Sequence, residues 1–244
     1  MLLDLHAHSS GISVCCQIDA REGLLRAKAA GLDGMVLTNH YTKDYLDEQG
    51  ALAFARRYVE EYYAAKEAAD ELGMTLLFGI EVTMEKDPNV HVLVYGVEDS
   101  FVYEHAEMYR YTQKELWDAV KAAGGALVQA HPYRREVNRL LDTAMLDGVE
   151  VNCHPLYKYT HRDEMAEIAV KNNLALTCGG DYHADTKRPI CGMYLPDDIA
   201  KSRRALADFL LTAKTIELCD HEIGESAPVR ITYTRGEGAV IANI

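Results

Sequence analysis

Seven short runs of apolar or β-branched residues, LLDLHA, GMVLTN, TLLFGIEV, HVLVYGV, GALVQAH, GVEVNC and LALTCGG, alternate with mostly helical stretches. That alternation restricts the chain to a parallel barrel or a doubly wound sheet, because parallel neighbours need a crossover, usually a helix. The length of 244 residues suits one α/β barrel. Residues 148–152 and 174–177 read as buried parallel strands. Asp19 is placed to cap a helix, with Glu22 as its capping-box partner and Gly31 as its end. Phe54, Tyr58, Tyr62, Ala65, Ala69 and Leu72 recur at threes and fours until Gly73 stops the next helix. One link differs. Glu81 and His91 are joined by VTMEKDPN, too short for a helix, which predicts a hairpin or a bare crossover. From about Lys214, a tail containing PVRITYTRGEGAVIANI reads as a β-rich appendix.

Hydrophobic residues make up 48% of the chain and charged residues 26%, enough for a sizeable core under a solvated surface. A net charge of −13 argues against a nucleic-acid surface, which needs a basic stripe. No apolar run approaches the roughly 20 residues that span a bilayer. The start, MLLDLHAHSS, lacks the basic and long apolar regions of a signal peptide. The six cysteines show no CxxC pair and read as reduced thiols. Together these features predict a cytoplasmic globular protein.

Chemistry concentrates at the strand ends. His6, His8, His40, Glu81, His131, Asp181 and His183 close predicted strands, and His91 opens one. In parallel α/β architectures the site lies on that face and is built from several strands. Strand alternation points Asp4, His6 and His8 one way, so the two imidazoles can share a cation; the same period links Asp181 and His183. Nitrogen donors mixed with carboxylates suit Zn, Mn or Fe better than an all-oxygen metal. The donors outnumber what one tetrahedral ion needs, which implies two or three divalent ions.

The ordered array DLHAHSS, LTNHY, GIEV, HVLVYGV, QAHPY and GGDYH resembles the polymerase and histidinol phosphatase (PHP) family over residues 2–195. The resemblance implies a distorted seven-stranded (β/α)7 barrel, placed at residues 1–213, and the tail, 214–244, is expected as a small C-terminal β-rich extension packed on it. It also implies hydrolysis of phosphoesters with up to three metal ions. Carried over, His6, His8, Glu81 and Asp181 would hold one ion and serve catalysis through its hydroxide, which attacks phosphorus. Glu81 would bridge to a second ion held with His91 and His131, and His40 and His183 would serve a third. The family usually adds an Asp or His from the loop before the first helix. Here that loop is SSGISVCCQID, and its acid, Asp19, is already the helix cap. Three alternatives stay open: a Cys15 or Cys16 thiolate, water, or an empty site, with a weakened or rearranged site favoured. Asn39 stands where the family often has Asp, which predicts tuning of metal affinity and not loss of the site.

Phosphate calls for cations near the ligands. Arg134, Arg135, Lys187 and Arg188 follow ligand-bearing strands and are candidate phosphate contacts, one arginine from each loop being favoured. His154 is a candidate substrate contact or proton donor. Glu150 and Asn152 share a strand face without an assigned role. Cys153 and Cys178 read as apolar fillers, and the Tyr62–Tyr63 region reads as a core helix face. The expected partner is a small phosphorylated substrate, with the oligomeric state open. Two other readings are a metal hydrolase of non-phosphate substrates, such as amides or lactones, and a metal-bearing regulatory or scaffold module without turnover.

Overall fold

The computed structural model describes residues 1–184 and 187–244. Each of the seven predicted strands forms. They are β1 (Leu2–Ala7), β2 (Gly34–Leu37), β4 (Thr75–Thr83), β5 (His91–Tyr95), β6 (Ala126–Gln129), β7 (Gly148–Asn152) and β8 (Ala175–Gly179). A two-residue strand, β3 (His40–Tyr41), also pairs with β4. Helices pack against the sheet, among them α1 (Ala20–Ala29), the 23-residue α2 (Gly50–Leu72) and α5 (Arg162–Asn172). The others are α3 (Asp99–Glu104), α4 (Gln113–Ala122) and α6 (Arg203–Thr212).

The helix signals act as expected, with one exception. Asp19 accepts the Glu22 N–H at 2.8 Å, but the Glu22 carboxylate turns to Arg26 and does not close a capping box. Gly73 ends α2 at φ 65°, a left-handed conformation in which glycine avoids the Cβ clash. Tyr58 and Tyr62 on α2 are buried, while Tyr63 faces outward. The Tyr58 hydroxyl donates to the carbonyls of Asn39 (2.7 Å) and Gly79 (3.0 Å), tying α2 to the strands beneath it.

The architecture is not a seven-stranded barrel with an appendix. It is a 12-stranded mixed sheet in the order β12-β11-β10-β9-β1-β2-β4-β5-β6-β7-β8, with β3 beside β4. Here β9 is Gly192–Tyr194, β10 Thr215–Asp220, β11 Val229–Thr234 and β12 Gly238–Asn243. Two features overturn the expected barrel. The short Glu81–His91 link cannot carry a crossover, so β5 runs antiparallel to both β4 and β6. On the other flank β9 pairs antiparallel with β1 and hands the sheet on to β10. Residues 214–244 therefore continue the main sheet and do not form an appendix to it. The sheet curls into a half-barrel, and beyond β8 Tyr182 makes an isolated bridge to Ala7 at the end of β1. That curl brings the ends of β1, β4 and β8, remote in sequence, to one concave face. Among the described residues no helix is long and apolar enough to cross a membrane.

Candidate metal centre

The pleat of β1 sends Asp4, His6 and His8 to the interior, where all three are buried. They do different work. Asp4 accepts the backbone N–H groups of His6 (3.0 Å) and Gly180 (2.8 Å), stitching β1 to the turn after β8. His6 and His8 aim their Nε2 atoms at Asp181 Oδ1, at 3.4 and 2.9 Å, and at Glu81 Oε2, both at 3.4 Å.

Glu81, on β4, stands at the middle of the cluster with no exposed side-chain surface. Its two oxygens face different imidazoles. Oε2 lies 2.6 Å from His40 Nδ1 as well as near His6 and His8, whereas Oε1 meets His91 Nδ1 (2.8 Å) and His131 Nε2 (3.0 Å). A carboxylate divided in this way can bridge two cations. The structure thus brings together all eight residues that the sequence nominates as ligands. His183 joins through Asp181, with Nδ1 3.5 Å from Oδ1, and its ring stacks on His8 at a 4.1 Å centroid separation.

The electrostatics favour a cation. Burial opposes ionising Glu81, but His40, His6 and His91 outweigh it and hold the carboxyl well below the usual range. Asp181 is likewise held low against burial, chiefly by His6 and Arg134. His8 is pushed well down by burial and by His183 and His40, and His131 by burial and Arg134. A metal requires neutral imidazoles and ionised carboxylates of its ligands: His8, His131, Glu81 and Asp181 meet that state, whereas His40 and His183 are raised and would give up a proton on binding. His6 resists burial and is raised, because Glu150, Asp181 and Glu81 all favour positive charge at its ring.

Among the described residues, buried polar atoms without a hydrogen-bond partner include His6 Nε2, His8 Nε2, His40 Nδ1, Glu81 Oε2 and Asp181 Oδ1. Leaving such groups unsatisfied costs about 1–3 kcal/mol each, so so many in one place calls for a shared partner. Divalent ions satisfy all of them together, and the donor set fits such ions. Backbone geometry agrees: the candidate ligands His131 and Asp181 sit at φ 34° and 45°, conformations that surrounding structure must enforce. At Gly179 a Cβ would come within 2.5 Å of the His6 Cβ, so glycine is what lets β8 approach the first ligand strand.

A supporting layer orients the ligands, and the sequence had given no role to its main member. Glu150 Oε1 lies 2.9 Å from His6 Nδ1, while Oε2 accepts the His131 N–H (3.0 Å) and the Asn152 amide (3.0 Å). With His6 Nδ1 held by Glu150, Nε2 is the nitrogen that would face a metal once its proton is released. Glu150→Gln is expected to weaken metal affinity about 10- to 100-fold, read by competition against a chelator. Period-two alternation on β7 was the available signal; its partners are far away in sequence. Ser13 Oγ supports His8 Nδ1 at 3.0 Å and is itself bonded to Asn39 Oδ1 at 2.9 Å, so Asn39 acts behind the ligands.

The candidate phosphate contacts separate clearly. Arg134 pairs with Asp181 Oδ2, has an Nη 3.2 Å from His131 Nε2 and lies over the Tyr157 ring. It belongs to the cluster. Arg135 is exposed. Arg188 is buried, donates to Asp4 Oδ2 at 2.6 Å and stacks on Tyr182, so it secures β1 and is not positioned to contact substrate. Lys187 lines a separate cleft of about 370 Å³ with Ala29, Ala30, Pro155 and His221, and no candidate ligand lines that cleft. His154 is buried near the cluster, its ring 5.9 Å from that of His183. Its Nδ1 accepts the Leu156 N–H at 3.1 Å, which leaves the ring proton on Nε2. Cys153 and Cys178 are buried, with their sulfurs 3.6 Å apart, and Cys153 also lies 3.1 Å from Asp220 Oδ1.

No protein-family model matches the chain, and a search of curated proteins finds no match. Solved structures do match. A two-domain protein from Bacteroides vulgatus, titled as containing a predicted PHP-like metal-dependent phosphoesterase, superposes with a TM-score of 0.61 at 14% identity. The match covers 100% of this chain and 85% of that one. A candidate metal-dependent phosphoesterase from Bifidobacterium adolescentis gives 0.53 at 21% identity, covering 77% and 90%. An amidohydrolase from Chromobacterium violaceum, solved with bound sulfate and no metal, gives 0.52 at 17% identity, covering 81% and 93%. The fold of this chain is that of the PHP-like metal-dependent phosphoesterases.

Proposed function

We propose that the chain is a metal-dependent phosphoesterase acting on a small phosphorylated metabolite. The observation that carries this reading is Glu81, buried with its two oxygens directed at two separate groups of histidines. In this reading His6, His8, Glu81 and Asp181 would hold one ion, and Glu81, His91 and His131 a second. Zn, Mn and Fe suit these donors. Such ions supply Lewis acidity to phosphoryl oxygens and lower the pKa of water.

The chain's own groups supply the rest. Arg134 offers a planar fork of donors beside Asp181, suited to gripping phosphate oxygens. His154 carries its proton on Nε2, where it can be given to the departing alkoxide. Arg134→Ala is expected to raise KM about 10- to 100-fold with a smaller effect on kcat, since a charged hydrogen bond contributes about 1.5–3 kcal/mol. Steady-state kinetics check it.

A second reading, hydrolysis of an amide or lactone, draws on the amidohydrolase likeness. That neighbour's bound sulfate has the tetrahedral oxyanion shape of a phosphate monoester, which favours the first reading. The deciding experiment offers metal-reconstituted protein a panel of phosphorylated metabolites and of amide and lactone substrates. Phosphate release lost in both Asp181→Asn and His8→Ala supports the proposal; release that survives both substitutions refutes it.

A further inference from the structure

The ends of β7, β8 and β10 bring a second group of donor atoms together, on the side of β8 turned away from Glu81. On β8, Thr177 and Gly179 share one side and Cys178 takes the other. A Cβ at Gly179 would point at His6 and Glu150, so Cys178 faces away from them. Cys153 directly follows β7, and Asp220 closes β10. All three side chains are buried.

Cys153 Sγ lies 3.6 Å from Cys178 Sγ and 3.1 Å from Asp220 Oδ1, and donor atoms of the three residues lie within 4.8 Å of one another. Small apolar filling accounts for two buried thiols, but not for a carboxylate oxygen aimed at them. Asp220 is fixed from its other oxygen. Oδ2 lies 2.5 Å from Arg162 Nε and 3.3 Å from the Thr160 hydroxyl, which holds Oδ1 toward the sulfurs. Cys178 Sγ also meets the Cys219 carbonyl at 3.2 Å. Cys153 lines the cleft of about 370 Å³, which gives an ion a way in, and His221 lines the same cleft. His221 Nε2 lies 3.4 Å from the Glu225 carbonyl, so the lone pair is on Nδ1, which is buried and has no hydrogen-bond partner among the described residues.

We infer that Cys153, Cys178 and Asp220 form a separate metal site for a thiophilic divalent ion such as Zn, remote from the chemistry at Glu81. Two sulfurs and one oxygen leave one tetrahedral position for a donor from the cleft, His221 Nδ1 or water. Two thiolates and a carboxylate carry three negative charges, which a divalent ion and Arg162 balance, so the buried site is neutral overall. Thiolate ligands select Zn over Mn or Mg. Burial pushes both thiols well up, so they stay protonated until an ion displaces their protons to solvent. The ion clamps β10, in the C-terminal part of the sheet, to the strands that carry Glu150 and lead to Asp181.

Cadmium is the probe, because a thiolate–cadmium bond adds an ultraviolet charge-transfer band and moves the cadmium NMR signal far from that of nitrogen–oxygen sites. Reduced, metal-free wild-type protein titrated with cadmium is expected to show the band and a two-sulfur resonance. Through-bond couplings should connect that resonance to the Cβ protons of Cys153 and Cys178. Cys153→Ser and Cys178→Ser should each lose the resonance and one bound ion. Cys15→Ser should match wild type, since Cys15 is exposed in the loop before α1 and Cys16 beside it is turned to the Ile18 carbonyl at 3.5 Å. The double variant His8→Ala with Asp181→Asn should keep the resonance while losing ions at Glu81, which separates this site from the proposed function. Absence of the band in the wild type overturns the proposal whatever the variants do. Couplings to other cysteines, a resonance that survives both serine variants, or its loss in Cys15→Ser each overturn it as well.

Discussion

Glu81→Gln is expected to lower phosphate release about 1,000-fold or more, a loss of about 4 kcal/mol in the transition state at 1.36 kcal/mol per decade. The amide has the size of the carboxylate but one oxygen instead of two and no charge. Whichever way it turns, its NH2 faces either His91 and His131 or His6, His8 and His40, where a lone pair is required. One side of the bridge is then lost. His6, whose ring Glu150 and Asp181 also favour as positive, keeps two carboxylate partners after the substitution, and the fold should persist. Circular dichroism checks the fold and single-turnover kinetics the rate. A variant with near-wild-type turnover would remove Glu81 from its bridging role.

Arg188→Ala is expected to cost about 3–5 kcal/mol of stability, the usual penalty for stranding one partner of a buried ion pair. That is a large part of the roughly 5–15 kcal/mol that holds an ordinary domain together. Asp4 would keep the His6 and Gly180 N–H bonds but lose the guanidinium at its other oxygen. Thermal or denaturant unfolding measures the loss. Below the melting range the remaining folded protein should keep its KM, because Arg188 braces β1 from behind. Unchanged stability with a raised KM would restore the phosphate role that its sequence position suggests.

These two residues show how far a single sequence carries. Glu81 and the histidines were legible because alternation along a strand fixes which side chains share a face, and strand ends in α/β folds gather at one rim. Arg188 was not, because a cation after a ligand strand reads alike whether it faces substrate or a buried carboxylate. Its partner, Asp4, lies 184 positions away. Glu150 was visible as a polar residue on the right face, but its bond to His6 spans 144 positions.

The fold divided in the same way. Each of the seven runs became a strand, since local pattern decides element type. Their assembly depended on pairings that no local pattern specifies. The link VTMEKDPN left a hairpin or a bare crossover open, and the structure makes it a hairpin that sets β5 antiparallel. By contrast β9 has only three residues and no periodicity, yet its pairing with β1 turns an expected barrel into an open, curled sheet. The tail, expected as a β-rich appendix, instead supplies strands β10, β11 and β12 of the main sheet, and that place follows from β9.

The central claim is that the ends of these strands form a multinuclear metal centre. Its most direct test is elemental analysis of the protein reconstituted with Zn, Mn or Fe and then freed of unbound metal. The account predicts at least two ions per chain in the wild type and fewer in Glu81→Gln. A folded wild-type chain that retains none of the three metals would contradict it.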